Sequence, residues 1–350
     1  MKRKQNNLLG IFRFSIFLTV ILAGLTFWQL SWQGLWLFFV LLILEVTFSF
    51  DNAVVNSRTL ASMSLIWQRI FLTVGIFIAV FAVRFLLPIV IVIFASGLNF
   101  GEVVSMALNN PERYSHVLHN ASPMINAFGG IFLLMIGLSY FVDYNKQIHW
   151  VRGVEPWLAR AGKFENFRAC LILLVMVILY FTVEEKYKAM ILISSVLGTL
   201  LHIGLELFGS LFGSHSSKDI KLKTGWAAFA AFLYLEVLDA SFSFDGVIGA
   251  FAITSSVILI TSGLSAGAIW VRSLTIYLMR SGTLSKYRYL EHGAHWAIVA
   301  LGIMMLFKLF HVELPEWITG SLGLAFIILA ITSSVIEARH VKNTKNLQSS

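Results

Sequence analysis

Apolar residues run along this chain in blocks of membrane-spanning length, at about 8–30, 35–56, 70–94, 124–142, 169–183, 189–209, 225–250, 256–279, 294–310 and 318–336, separated by short polar connections. A helical crossing needs ~20 mostly apolar residues. The pattern predicts an all-α polytopic membrane protein of about ten transmembrane helices. Its longest connection, 96–123, carries Asn109-Asn110-Pro111 and reads as an exterior loop. Composition agrees: 58% of the 350 residues are hydrophobic and 13% charged, too apolar for a soluble globular chain.

Charge decides orientation. Lys2, Arg3 and Lys4 precede the first block as in a signal peptide, but that block has full span length and lacks a small-x-small cleavage site, so it reads as a retained helix. With the N-terminus inside, one set of alternate connections carries most of the Lys and Arg, among them Arg58, Lys146, Arg152, Lys218, Lys221, Arg288 and Arg339. The other set carries Arg113, Lys186 and Lys188, with Lys308 near that boundary. This is the positive-inside distribution. The net charge of +8 therefore reports a chain in the plasma (inner) membrane with both termini cytoplasmic, and no nucleic-acid partner. A single Cys170 in an apolar block excludes a disulfide framework and a thiolate metal site.

One motif occurs twice. Glu45-Val-Thr-Phe-Ser-Phe-Asp51-Asn52 in the second block matches Asp239-Ala-Ser-Phe-Ser-Phe-Asp245-Gly246 in the seventh, and an offset of five spans makes the two copies antiparallel. Gly75, Ala79 and Arg84 on the third block match Gly263, Gly267 and Arg272 on the eighth, and Gly137 pairs more weakly with Gly302. Small residues four apart permit close helix approach. The chain divides accordingly into an N-terminal helix (1–34), repeat 1 (35–142), linker helices with basic loops (143–224), repeat 2 (225–310), and a last helix and tail (311–350). Such an inverted 3+3 repeat places a transporter's substrate site at the repeat interface. Spans two to four and seven to nine form the expected core, with one, five, six and ten peripheral.

A carboxylate at the centre of a span costs roughly 2.5–3.5 kcal/mol, so Glu45, Asp51, Asp239 and Asp245 unpaired would cost on the order of 10 kcal/mol. Protonation, pairing with Arg84 and Arg272, or a bound cation can compensate them. At ~100° per residue Glu45 and Asp51 diverge on a straight helix. Either they meet different partners or the backbone loosens near Ser49–Asp51, a break that Gly246 would permit in the second copy. The oxygen set Glu45, Asp51, Asn52, Asp239 and Asp245, with Ser49, Ser243 and Glu236 as accessories, suits a hard divalent ion. That ion is a substrate; no cofactor is expected, and protons are a candidate counter-ion. Pairing of the acids with the two arginines as structural glue is the bland alternative. His202 and Glu206 are four apart and read as a hydrogen-bonded pair near a helix end. His292 and His295, after Glu291, are spaced like a metal pair but read as solvated caps. Glu184 and Glu185 read as a hydrated loop. No nucleophile and base stand together, so an enzyme is not expected.

The motifs Glu45-x3-Ser49-x-Asp51-Asn52, Phe242-Ser243-x-Asp245 and Gly75-x3-Ala79-x4-Arg84 resemble those of the TerC family of integral membrane proteins, which shares a fold with LysE-type exporters. The resemblance covers about residues 35–310, with Gly246 where that family commonly has Ser. It implies export of a divalent metal, Mn2+ foremost, with Glu45, Asp51 and Asn52 in the first acidic motif and Asp245 in the second. Export of a cationic amino acid, and a non-transporting role in membrane assembly or stress, are the alternatives.

Overall fold

Among the described residues eight helical segments are long and apolar enough to cross a membrane, and a shorter apolar helix, Phe167–Thr182, joins them. The computed structural model describes residues 9–164, 166–212, 222–312 and 316–348, and among these it contains no strand. Lys2, Arg3, Lys4, Lys218 and Lys221 lie outside the described residues, as do the side chains of Phe244 and Asp245. In chain order the helices are α1 (Arg13–Phe48), α2 (Phe50–Ala61), α3 (Leu65–Phe77), α4 (Leu87–Ser96), α5 (Phe100–Asn109), α6 (Pro111–Asn120) and α7 (Ser122–Phe141). Then follow α8 (Glu155–Ala161), α9 (Phe167–Thr182), α10 (Lys188–Phe212), α11 (Gly225–Ile253), α12 (Val257–Ser281), α13 (Leu290–Lys308) and α14 (Glu316–Gln348).

The first two expected spans are the two arms of α1, which reverses at Ser31 (φ 57°, ψ −158°). The reversal shows in what each arm touches. Ser15 meets Ser273 and Thr19 meets Trp270, so the first arm runs against α12. Leu41 lies against Gly263 and Glu45 against Gly267, so the second arm runs with it. Ser31 sits in a region that only glycine populates freely, at a cost of about 1–3 kcal/mol. Ser31→Gly is therefore expected to raise the thermal unfolding midpoint in detergent, and Ser31→Val to lower it. Equal midpoints for the three proteins would remove the strain argument.

The second arm does not continue straight through the acidic motif. It stops at Ser49 (φ −101°, ψ 14°), and α2 begins one residue later. The second copy, where Gly246 was expected to permit the break, is one unbroken helix. Between α3 and α4 the chain widens into a π-helix, Ile78–Leu86. The expected loop at 96–123 is instead two short helices. An Asn99–Glu102 capping box starts α5, and Asn110 followed by Pro111 starts α6.

The repeats pack reciprocally. Gly263 and Gly267 of repeat 2 lie against the second arm of α1, and Gly75 of repeat 1 lies against Glu236 and Arg272. A Cβ at Gly302 would lie 3.0 Å from the Gly130 carbonyl oxygen, and Gly137 faces Val299, so the third spans α7 and α13 pack on each other. Without a hydrophobic force between helices in lipid, such close backbone approach supplies the packing. Two spans expected at the periphery reach the core: the first arm of α1 packs along α12, and Gly323 of α14 lies against Asp51. The short helix α9 keeps the expected outer position, with Leu173, Leu174 and Phe181 exposed to lipid.

Connections gather alternately on two faces. One face joins Ser64 to Lys223, Arg58 to Glu291, Glu155 to His292 and Arg288 to Glu337. The opposite face joins Glu184 to His311 and Tyr114 to Phe251. Glu184 there is exposed and salt-bridged to Lys186, as a hydrated loop should be.

Candidate functional site

At the break, Ser49 is bonded to the acid one turn before it. Ser49 donates its backbone N–H to the Glu45 carbonyl at 3.0 Å and its hydroxyl to Glu45 Oε1 at 2.9 Å. That carboxylate also receives the Arg84 guanidinium, an ion pair buried on both sides. Arg84 stands on the π-helix, whose inserted residue re-aims side chains relative to an α-helix. Its Nη1 donates to the Ala79 carbonyl at 3.0 Å and stands 3.8 Å from Asp239 Oδ2.

The second copy repeats this arrangement. Arg272 stands where Arg84 stands, and its Nη2 lies 3.4 Å from Asp239, the counterpart of Glu45. It also holds Glu236 bidentately, at 2.9 and 2.7 Å, and donates to the Phe71 carbonyl at 3.1 Å. Asn52 ties the two copies together, its Nδ2 donating to Asp239 Oδ1 at 3.0 Å. Glu236, on the same helix face as Asp239 one turn away, thus enters the cluster through Arg272. Gly246 has a different part from the one its sequence suggests: it lets the Glu45 carboxylate approach, with room for a Cβ only 3.3 Å from Oε2.

Asp51 is the exception in this network. It is 3% exposed, and among the described residues no Lys, Arg or His pairs with it. It accepts a hydrogen bond from the Asn52 N–H at 3.0 Å. It sits in the first turn of α2, where the helix dipole favours negative charge. Among the described residues three further buried oxygens on α2 and α11 lack a hydrogen-bond partner: Asn52 Oδ1, Asn56 Oδ1, one turn further along α2, and Ser243 Oγ, one turn from Asp239 on α11. Four carboxylates, Glu45, Asp51, Glu236 and Asp239, face two guanidiniums, so two of the acids are left to be neutralised by a proton or a cation. Asp245 would add a third, but its side chain lies outside the described residues. Among the described residues no three carboxylate, His or Cys side chains converge as a metal cage.

Asn56 was not singled out from sequence, although an Asn four residues after Asn52 in an apolar block carried the signal. Gly323 had none, because only the fold brings α14 to Asp51.

The other ionisable groups lie nearer the basic face. His202 accepts or donates at Ser139 Oγ (3.0 Å), and Arg168 joins Glu206 at 3.0 Å, a polar network between α7, α9 and α10. His292 and His295 are buried, contrary to the solvated reading. His295 stacks on Tyr140 with centroids 3.6 Å apart, and His292 Nδ1 is 2.8 Å from Glu155. Glu155 also accepts from Trp296 Nε1 and the Trp150 N–H, each at 2.8 Å. Burial pushes its carboxyl up, but the hydrogen bonds from His292, Trp296 and Trp150 together outweigh that and hold it below the usual carboxylate range. A lowered folded-state value means stability that is present above the ordinary carboxylate value and lost as pH falls through the folded one. Glu155 pins the basic 143–165 connection to α13. Glu155→Gln is expected to speed tryptic cleavage in that connection several-fold at pH 7, at Lys146, Arg152, Arg160 or Lys163. Unchanged cleavage would show that the pin is immaterial.

These features define a multi-pass all-α membrane protein with a charge cluster buried between two inverted repeats. The chain belongs to the family described as protein of unknown function (DUF475), whose model matches residues 50–341. It is also 24% identical, over 140 residues, to an uncharacterized membrane protein of Rickettsia prowazekii (strain Madrid E). That stretch is 39% of this chain, and the chain spans 44% of the relative's length. No solved structure matches. The family match corrects the TerC resemblance. A few acidic, Ser and Gly positions in apolar helices recur wherever a membrane protein buries carboxylates between close-packed spans, and they do not define a family against a match that runs over most of the chain.

Proposed function

We propose that this protein is a membrane transporter whose substrate is a cation, bound between the two repeats with Asp51 as its principal ligand. The observation that carries this reading is that, among the described residues, Asp51 is buried without a basic partner and Asn52 Oδ1, Asn56 Oδ1 and Ser243 Oγ on α2 and α11 have no hydrogen-bond partner. A cation meets both needs at once, whereas a guanidinium already occupies Glu45, Glu236 and Asp239. In this reading the cation binds to Asp51, Asn52 and Asn56 from the broken side and to Ser243 and Asp245 from the continuous helix. Arg84 and Arg272 hold the remaining acids when no ion is bound. Oxygen donors without sulfur or imidazole favour a hard divalent ion such as Mn2+ or Mg2+.

The basic face is taken as cytoplasmic from the Lys and Arg distribution, in the plasma membrane. Export of a divalent ion then runs against ~4.6 kcal/mol per 100 mV of inside-negative potential. Proton exchange through the same acids would supply that work. The test is cellular metal content by mass spectrometry in cells lacking other exporters, with wild type or an Asp51→Asn, Asp245→Asn double variant at matched membrane levels. A fall in one divalent metal with the wild type alone supports the reading. Equal contents across all metals would overturn it.

A further inference from the structure

A cavity of 590 Å3 opens on the basic face. Val55, Arg58 and Thr59 of α2 form one wall, and Tyr140, Lys146 and His295 stand across from it. A second cavity, of 330 Å3, adjoins it and shares Thr59, Ser139 and Tyr234. Both therefore touch α2 at Thr59, and the larger one follows that helix back to Val55.

Residues four apart share a helix face, so Asp51, Val55 and Thr59 form one stripe of α2. The cavity touches Thr59 and Val55 and stops one turn, about 6 Å, short of Asp51. Val55, 5% exposed, is the side chain in between. Towards the opposite face Phe38, Leu41, Ala250 and Leu264 are fully buried in one apolar cluster, and a separate apolar cavity of 350 Å3 lies among Leu87, Phe128, Val237 and Ser241. A water takes about 30 Å3 of liquid, so the cavity on the basic face holds a small ion with its hydration shell.

The cavity's positive charge is smaller than its residues suggest. Arg58 pairs with Glu291 and Arg288 with Glu337. Lys146 lies 3.0 Å from the centre of the Tyr140 ring, and burial lowers its pKa to about 7.

We propose that this cavity is the aqueous path by which a hydrated cation reaches Asp51, and that Val55 is the apolar gate at its inner end. The nature of what travels it rests on the cation reading above; the path itself does not.

The test uses single-cysteine variants in a Cys170→Ser background, treated with a membrane-impermeant thiol reagent in vesicles of each orientation. Thr59→Cys and Val55→Cys are expected to react from the face that also labels Ile148→Cys, at least tenfold faster than Leu41→Cys reacts from either face. Asp51→Cys is expected to gain reactivity from that same face when Val55→Ala is added, which tests the gate without a cysteine at Val55. Labelling of Val55→Cys no faster than Leu41→Cys, or an Asp51→Cys unaffected by Val55→Ala, would overturn the proposal. Because labelling needs no substrate, a path labelled as expected in a protein that moves no metal would stand while the transport reading fell.

Discussion

Asp51→Asn is expected to leave the purified protein at least as stable as the wild type while weakening its response to divalent cations tenfold or more, about 1.4 kcal/mol or greater. The two effects have one cause. Among the described residues Asp51 is buried without a basic partner, and a carboxylate kept ionised there costs several kcal/mol even after relaxation. Asn keeps the shape and removes the charge, so the apo protein is relieved. The cation loses its principal ligand and the charge that draws it into a low-dielectric interior. A merely structural acid behaves the other way, since its replacement lowers stability and leaves no cation response to lose.

Arg272→Ala is expected to produce the opposite result, a loss on the order of 3–5 kcal/mol. The Arg272 guanidinium makes two hydrogen bonds to Glu236, approaches Asp239 at 3.4 Å and donates to the Phe71 carbonyl. Removing it strands two carboxylates and a carbonyl where water is scarce. In practice the variant should reach the membrane at a fraction of the wild-type level, and its detergent-extracted form should unfold at a much lower temperature. The Arg272→Met, Glu236→Met pair should recover most of the loss, because a buried ion pair is replaceable by apolar groups when both partners go together. Asp239 then keeps Arg84, 3.8 Å away. If Arg272→Ala is as stable as the wild type, the arginines are not the counter-ions of this cluster. The contrast between Asp51 and Arg272 separates a binding acid from an acid held as glue.

Much of this arrangement was legible in the residues. The two acidic motifs and the matching Gly and Arg positions foretold antiparallel copies, and the structure gives Arg84 and Arg272 equivalent partners in Glu45 and Asp239. The helix break near Ser49–Asp51 was one of two outcomes the helical spacing left open, and it falls at Ser49, whose hydroxyl bonds to Glu45. The matching break that Gly246 would permit does not form, and α11 runs through unbroken. The burial of His292 and His295 was hidden because their partners come from elsewhere in the chain: Glu155, in a basic connection with no apolar pattern, docks on α13 beside His292, and Tyr140 of α7 stacks on His295. The family was misjudged because carboxylates, serines and glycines at helical spacing record a physical need shared by many membrane proteins.

The most direct measurement is thermal unfolding of the purified protein in detergent against concentrations of Mn2+ and Mg2+, for the wild type and Asp51→Asn, with an uncharged osmolyte and Na+ as controls. A ligand that binds only the folded state stabilises it by about 2.7 kcal/mol at a hundred times its dissociation constant. The expected result is a saturable rise in the wild-type midpoint with at least one divalent ion and a flat response in Asp51→Asn from an equal or higher starting point. A wild-type midpoint indifferent to every cation, or an identical rise in both proteins, would contradict the assignment of Asp51 as the cation's ligand.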